Sequence, residues 1–498
     1  MRRVLLILAA LLLMGTGVAA ASPTIVAVSA PTSPLGGCAP FDTGPGTKYP
    51  NTEVEPWLAV NPTNANNIVG SWQQDRWSSG GAAGSGVGVS LDGGATFTPG
   101  ATGYIPGQTV CTGGTGSAAL ARASDPWLTF APDGTLYQMS LVETKLPTGV
   151  NNPSGMAVNR SYDGGRTWGP PTFVAYDTDP SLFNDKNSIT ADPTPTRSGY
   201  VYAIWDRLDS PPGKGSLKSV ENTSGFRGPT VLARTTNGGD SWEPPRVIFN
   251  PGTANQTIGN QIVVQPDGTL VDVFTLIRND NKGQVKGYSV AVIRSTDGGT
   301  TWDAKPTTIS TMTFVQVRDP DTAALVRTGD LIPEIAVDRT SGPTRGNLYV
   351  VWQDGRWAVG THAHVAFSRS TDGGRTWSSP SQIDRAPTAV DPFTPSIAVA
   401  PNGRVGVSYY DFRSNTPAAG LPTDYWFTSC SSSCTSLGNW VESQVDGPFN
   451  MEDAPVARGY FLGDYEGIAT TGNDFGLLFA RSGTAPNTAD VVFTRVTP

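Results

Sequence analysis

Residues 370–377 read STDGGRTW, and close copies stand at 90–97 (SLDGGATF), 161–168 (SYDGGRTW), 235–242 (TTNGGDSW) and 295–302 (STDGGTTW). Each residue type in S-x-D-G-G-x-T-W suits a tight hairpin. The glycines can take positive φ, the Asp carboxylate can accept bonds from turn N–H groups, and the terminal aromatic ring anchors the turn on apolar surface. The copies start 71, 74, 60 and 75 residues apart, a spacing that marks a large repeated unit of four or so strands.

A second motif runs out of phase with the first: an apolar strand, a turn, and another apolar strand ending in polar residues. It recurs from 56 (PWLAVNPTNANNIVGSWQQDRW), 126, 187, 260, 333, 395 and 465. Each copy supplies two strands, the segment before the octapeptide a third, and a short stretch such as TFVAY at 172 a fourth. Seven antiparallel units of this kind predict an all-β fold, a β-propeller of four-stranded blades, with six blades as the alternative. The last unit has three strands before the chain ends, so TIVAVS at 24–29 is expected to add the fourth and close the ring. In the sixth unit SCSSSCTSLGNW replaces the octapeptide, with Trp440 in the anchor position.

Composition agrees. With 58 Gly, 41 Pro and 13 Trp but only 15% charged residues, the chain suits short strands joined by tight turns. The opening MRRVLLILAALLLMGTGVAAAS has the arginines, apolar run and small residues of an export signal, so residues 1–21 are read as a signal peptide and 22–498 as one exported domain. No later segment reaches the length of a membrane span. Losing Arg2 and Arg3 takes the formal charge from -8 to -10, which disfavours nucleic acid and anionic membranes as partners. Four cysteines in an exported chain suggest two disulfides, Cys430 with Cys434 and Cys38 with Cys111. A monomer is expected.

The octapeptide is that of the Asp box, or bacterial neuraminidase repeat, and its recurrence with this strand pattern resembles the sialidase superfamily across essentially the whole exported chain. The resemblance implies that the boxes join the third and fourth strands of each blade on the face away from the active site. It also implies a site with three arginines for a substrate carboxylate, a Tyr nucleophile activated by a Glu, and an Asp acid/base. The family opens its first blade with Phe/Tyr-Arg-Ile-Pro, whereas this chain reads EVEPWLAV with Glu55. The expectation is therefore a sialidase-like glycoside hydrolase acting on extracellular glycans, without a commitment to sialic acid. The alternative is a propeller that binds a glycan or a protein without catalysis.

On the face opposite the boxes, second strands end in Asp75 and Arg76, Asp206 and Arg207, Asp354 and Arg356, and Asp411 and Arg413. First strands begin beside Glu55, Asp125, Asp185, Glu334, Asp391 and the cluster Asp464, Tyr465 and Glu466. From these the catalytic candidates are Tyr465 with Glu466 as its base and Asp125 as acid; the substrate-binding candidates are Arg76, Arg207, Arg356, Arg413, Asp75 and Glu334. The four Asp and Arg pairs also have a purely bracing interpretation, because a repeated pair suits a symmetric ring better than an asymmetric site. His362 and His364 form an H-x-H without an evident third ligand, so no metal site is assigned. No cofactor is expected; NDNKG at 279–283 and RDPD at 318–321 could lend oxygens to a structural Ca²⁺ but complete no calcium loop.

Overall fold

A computed structural model describes residues 23–39, 44–116, 119–147, 151–209, 227–280 and 284–498. The signal-peptide assignment and part of NDNKG lie outside these residues. The described chain is all-β: nearly all strands pair antiparallel, mostly in four-stranded sheets, and the only helices among the described residues are short 3₁₀ turns.

The first group is Glu53–Val60, Ile68–Arg76 and Ala82–Ser90, with Thr98 and Tyr104 bridging back to Val89 and Gly86 where a fourth strand would lie. It continues through one pairing, Ala82 with Ala123, into Arg122–Phe130, Leu136–Lys145, Asn151–Ser161 and Thr172–Asp177. Four four-stranded sheets follow in chain order, starting with Leu182–Ala191, Gln256–Val264, Glu334–Val337 and Phe393–Val399. The last sheet joins Gly467–Thr471, Asp474–Ser482 and Ala489–Val496 to Val26–Ala27 from the N-terminal end. The expected fourth strand is thus supplied by the segment 24–29: Val26 pairs with Phe493 and Ala27 with Val492. The arrangement is consistent with a β-propeller. Each group's first strand packs on the first strand of the next, and Gly467–Thr471 packs on Glu53–Val60.

The octapeptides fold as their residues dictate. In 161–168 the Ser161 hydroxyl donates to Asp163 (2.9 Å) and accepts from Gly165 N (2.9 Å), while Asp163 accepts from Thr167 N (2.9 Å) and Thr167 Oγ1 (2.6 Å). Trp168 Nε1 closes the turn on the Gly165 carbonyl at 3.0 Å. The same set recurs at 295–302 and 370–377. In the sixth group the Cys430–Cys434 disulfide takes over the turn, and Trp440 Nε1 donates to the Cys434 carbonyl at 2.8 Å. The anchor survives the change of turn. Cys38 is bonded to Cys111 as expected.

The turns also join neighbouring groups. Asn67 donates to the Gly164 carbonyl (3.0 Å), Tyr137 and Arg160 to that of Gly238 (both 2.9 Å), and Arg234 to that of Gly298 (2.5 Å). Each donor belongs to the group before the turn that it grips.

At the other end of the first strands, one local distortion repeats. The register of the first strand against the second slips at Glu55, Asp125, Lys186, Gly259 and Thr394, each of which has φ between 44° and 74°. These are β-bulges at equivalent positions, and a bulge re-aims the side chain it carries. Four of the five residues are not glycine, so each carries backbone strain of about 1 kcal/mol or more that the surrounding packing must hold.

Candidate functional site

The bulges bring Glu55, Asp125 and Lys186 together at the centre of the molecule. Lys186 Nζ lies 2.6 Å from Asp464 Oδ2, 3.3 Å from Asp125 Oδ2 and 3.5 Å from Glu55 Oε1. All four side chains are buried. A second cation, Arg327, grips Asp464 through Nε at 3.0 Å and through Nη2. Burial pushes the Asp464 carboxyl up, but Arg327 and Lys186 together outweigh it and hold the group well below the usual carboxylate range. Glu55 goes the other way: its burial outweighs the attraction of Lys186, so its carboxyl is raised and stays protonated more readily than a free one. Gln73 Nε2 donates to Glu55 Oε2, and Arg76 Nη1 donates to Gln73 Oε1.

Arg76 is 2% exposed, and its Nε has no hydrogen-bond partner among the described residues. Its guanidinium lies 4.8 Å from the Phe461 ring centroid, and that of Arg327 lies 4.4 Å from the same ring. Two guanidiniums are thus gathered on one aromatic ring. Both line an open cavity of about 80 Å³ together with Arg458, Lys186, Asp125, Asp185 and Glu143. Asp125 stands at its wall, with Ser124 Oγ donating to Oδ1 at 2.5 Å. Its own carbonyl is fixed by Asn187 Nδ2 at 2.9 Å.

Of the catalytic and substrate-binding candidates read from the sequence, Asp125 and Arg76 meet at this cavity, where Asp185 joins them. The pairing expected of Tyr465 with Glu466 is not made. Tyr465 donates to the Pro126 carbonyl at 3.1 Å and packs edge-on against the stacked Trp57 and Trp127, whose ring centroids are 3.5 Å apart. Burial, reinforced by Glu55 and Asp125, raises its phenol well above its ordinary value. Glu466 instead accepts from Ala480 N at 3.0 Å, because adjacent residues of an extended segment face opposite ways.

Arg207, Arg356 and Arg413 are each paired with carboxylates. Arg207 pairs with Asp209 (2.9 Å), Arg356 with Asp354 (2.7 Å), and Arg413 with Asp411 and Glu442 (both 2.6 Å). Asp75 accepts from Asn51 N at 2.8 Å, and Glu334 accepts from Ser396 Oγ at 2.6 Å. His362 and His364 each face a separate carboxylate, Asp391 and Asp384, both at 3.0 Å. Asp319 of RDPD binds its own turn through Asp321 N at 2.8 Å.

Sequence reasoning missed Lys186 and Arg327. Lys186 was legible in one respect: aligning the first strands puts it at the position held by Glu55 before Pro56 and Asp125 before Pro126. Arg327 carried no such signal, because it arrives from the long connection between the fourth and fifth groups.

No protein-family model matches the chain. No curated protein matches it either. Among solved structures, the chain is similar to the Hadza microbial sialidase Hz136 at 16% identity, covering 86% of this chain and 73% of that one with a TM-score of 0.47. It is also similar to a mutant of the NanB sialidase from Streptococcus pneumoniae, at 14% identity over 94% of this chain and 70% of that one, TM-score 0.43. A third is the GH93 α-L-arabinofuranosidase of Fusarium graminearum, at 13% identity over 78% of this chain and 92% of that one, TM-score 0.44.

Proposed function

We propose that this chain is a sialidase-like glycoside hydrolase of the cell exterior, built as a ring of seven blades whose Asp-box turns lie away from the site. The ring is supported by the succession of packed first strands that ends against its own beginning. Export is supported by the apolar N-terminal run and by two disulfides, which persist in oxidising compartments.

The observation that carries the reading is Asp125, held on a strained bulge at the wall of a cavity that Arg76, Arg327 and Arg458 also line. Three guanidiniums in one cavity suit the carboxylate of an acidic sugar, and Asp125 is the group positioned to move a proton at the glycosidic oxygen. In this reading Tyr465 is a packing residue rather than the nucleophile, which its hydrogen bond to the Pro126 carbonyl and its contact with Trp57 and Trp127 support.

Purified protein lacking residues 1–21 is expected to release reducing sugar from a glycan panel containing sialylated and uronic-acid substrates. Asp125→Asn, folded by circular dichroism, should lower kcat by about 10²-fold or more, the usual contribution of a general acid. Turnover unaffected by the substitution would remove Asp125 from the chemistry. No turnover together with glycan binding that needs Arg76 would make the chain a binding propeller.

A further inference from the structure

A second, larger cavity of about 330 Å³ adjoins the one at Asp125. Gln316, Leu325, Val326, Thr328 and Asp330 line it, and it shares Arg327 and Arg458 with the smaller cavity. Its mixture of apolar and hydrogen-bonding groups is that of a site for a polyol ring rather than for a purely apolar ligand.

The wall between the chambers is firmly built. Val326–Arg327 and Tyr460–Phe461 form the one parallel strand pair among the described residues, tying the connection before the fifth group to the one before the last. Tyr460 N donates to the Leu325 carbonyl at 2.9 Å. A side chain on Gly459 would meet the Leu325 carbonyl oxygen at 2.7 Å, and one on Gly329 would meet the Asp464 carbonyl oxygen at 1.8 Å. Neither position has room for a Cβ, so the two connections are fitted to each other and to the ion-pair cluster. Asp319 braces the tip, accepting from Asp321 N at 2.8 Å, while Val326 N returns to the Val317 carbonyl at 3.1 Å.

We propose that the larger chamber is a subsite for the sugar unit next to the acidic one, so that the chain recognises acidic oligosaccharides over their monosaccharides. The inference rests on the glycan reading of the Asp125 cavity. Arg327 and Arg458, common to both chambers, sit where the acidic unit meets its neighbour, and Gln316 and Asp330 offer hydrogen bonds to the neighbour's hydroxyls. Leu325 gives that ring an apolar floor.

The test is calorimetric and is run in the Asp125→Asn background, so that the acidic glycosides are not cleaved during the titration. Sialyllactose and trigalacturonate, each against its acidic monosaccharide, are titrated into the protein and into Leu325→Trp, whose indole fills the larger chamber. At least one trisaccharide is expected to bind tenfold or more tightly than its monosaccharide, and that ratio should collapse in the variant while its circular dichroism and melting temperature are retained. Equal affinity for both lengths, or a ratio that survives Leu325→Trp, overturns the subsite and leaves the Asp125 reading standing. A Gln316→Ala variant guards against misfolding, since an exposed residue is changed; it should lower the ratio without altering the melt. Failure of every sugar to bind overturns the subsite and the glycan reading together.

Discussion

Glu334 is 2% exposed and accepts from the Ser396 hydroxyl at 2.6 Å and from Ile397 N at 3.4 Å. Burial pushes its carboxyl up to about 8, with Ser396 and Ile397 opposing. Between the unfolded value of 4.5 and about 8 the folded chain therefore holds a proton that the unfolded chain has lost. Stability from this group is complete below 4.5 and declines as the pH rises towards about 8. Glu334→Gln keeps an oxygen for Ser396 and removes the titration. It is expected to be close to neutral near pH 5 and stabilising by roughly 1–3 kcal/mol near pH 8, read from urea melts at the two values. A variant equally destabilised at both would show that the carboxyl is not the source of the effect.

At the scale of the element, what was legible in the sequence was what is local in the chain. The octapeptide's bonds run between residues two to four apart, so their donors and acceptors can be read from the string itself. The ion-pair cluster was not legible, because Lys186 reaches Asp464 across 278 residues and Arg327 reaches it across 137. Only the closing of the strand groups on one another brings those charges together. The same local logic gives a prediction for the one turn that lacks its Asp. In 235–242 Asn237 Oδ1 accepts from Ser241 N at 3.1 Å and its amide donates to Ser241 Oγ at 2.9 Å. Asp92, bonded by Thr96, and Asp297 and Asp372, where Thr301 and Thr376 outweigh partial burial, are all lowered to about 2. Asn237→Asp should adopt that pattern and stabilise the chain slightly at pH 7, solvent screening keeping the gain of an exposed charge-assisted acceptor small. A folded value below the unfolded one means that the gain exists above about pH 4 and fades as the pH falls towards about 2. Thermal melts at pH 7 and pH 3 would show the gain shrinking; a gain independent of pH would contradict the carboxylate account.

For the whole molecule the question is whether the N-terminal strand is an ornament on the last sheet or a fastening between the last strand group and the first. Val26 and Ala27 pair with Phe493 and Val492, Val491 N donates to Ser29 Oγ at 3.0 Å, and Thr494 Oγ1 donates to the Thr24 carbonyl at 2.9 Å. Val28, 6% exposed, packs in one cluster with Trp72 of the first group and Leu478 and Phe493 of the last. The strand therefore touches both sides of the junction, and Gly88 of the first group lies so close that a Cβ there would meet Val28 at 2.7 Å. Burying Val28 alone is worth about 1.5–3 kcal/mol, before its neighbours' hydrogen bonds are counted. A chain starting at residue 31 keeps the Cys38–Cys111 bond and loses the contacts of one short strand, so it is expected to fold but to melt several degrees lower. Hydrogen exchange then separates the two roles. If the strand fastens the last group to the first, protection should fall in Ile68–Arg76 as well as in Ala489–Val496, and a synthetic peptide of residues 23–31 added in trans should restore both together, as an added strand does at an open sheet edge. If protection falls in Ala489–Val496 alone, the first and last groups hold each other without help, and closure belongs to the packing of Gly467–Thr471 on Glu53–Val60 instead.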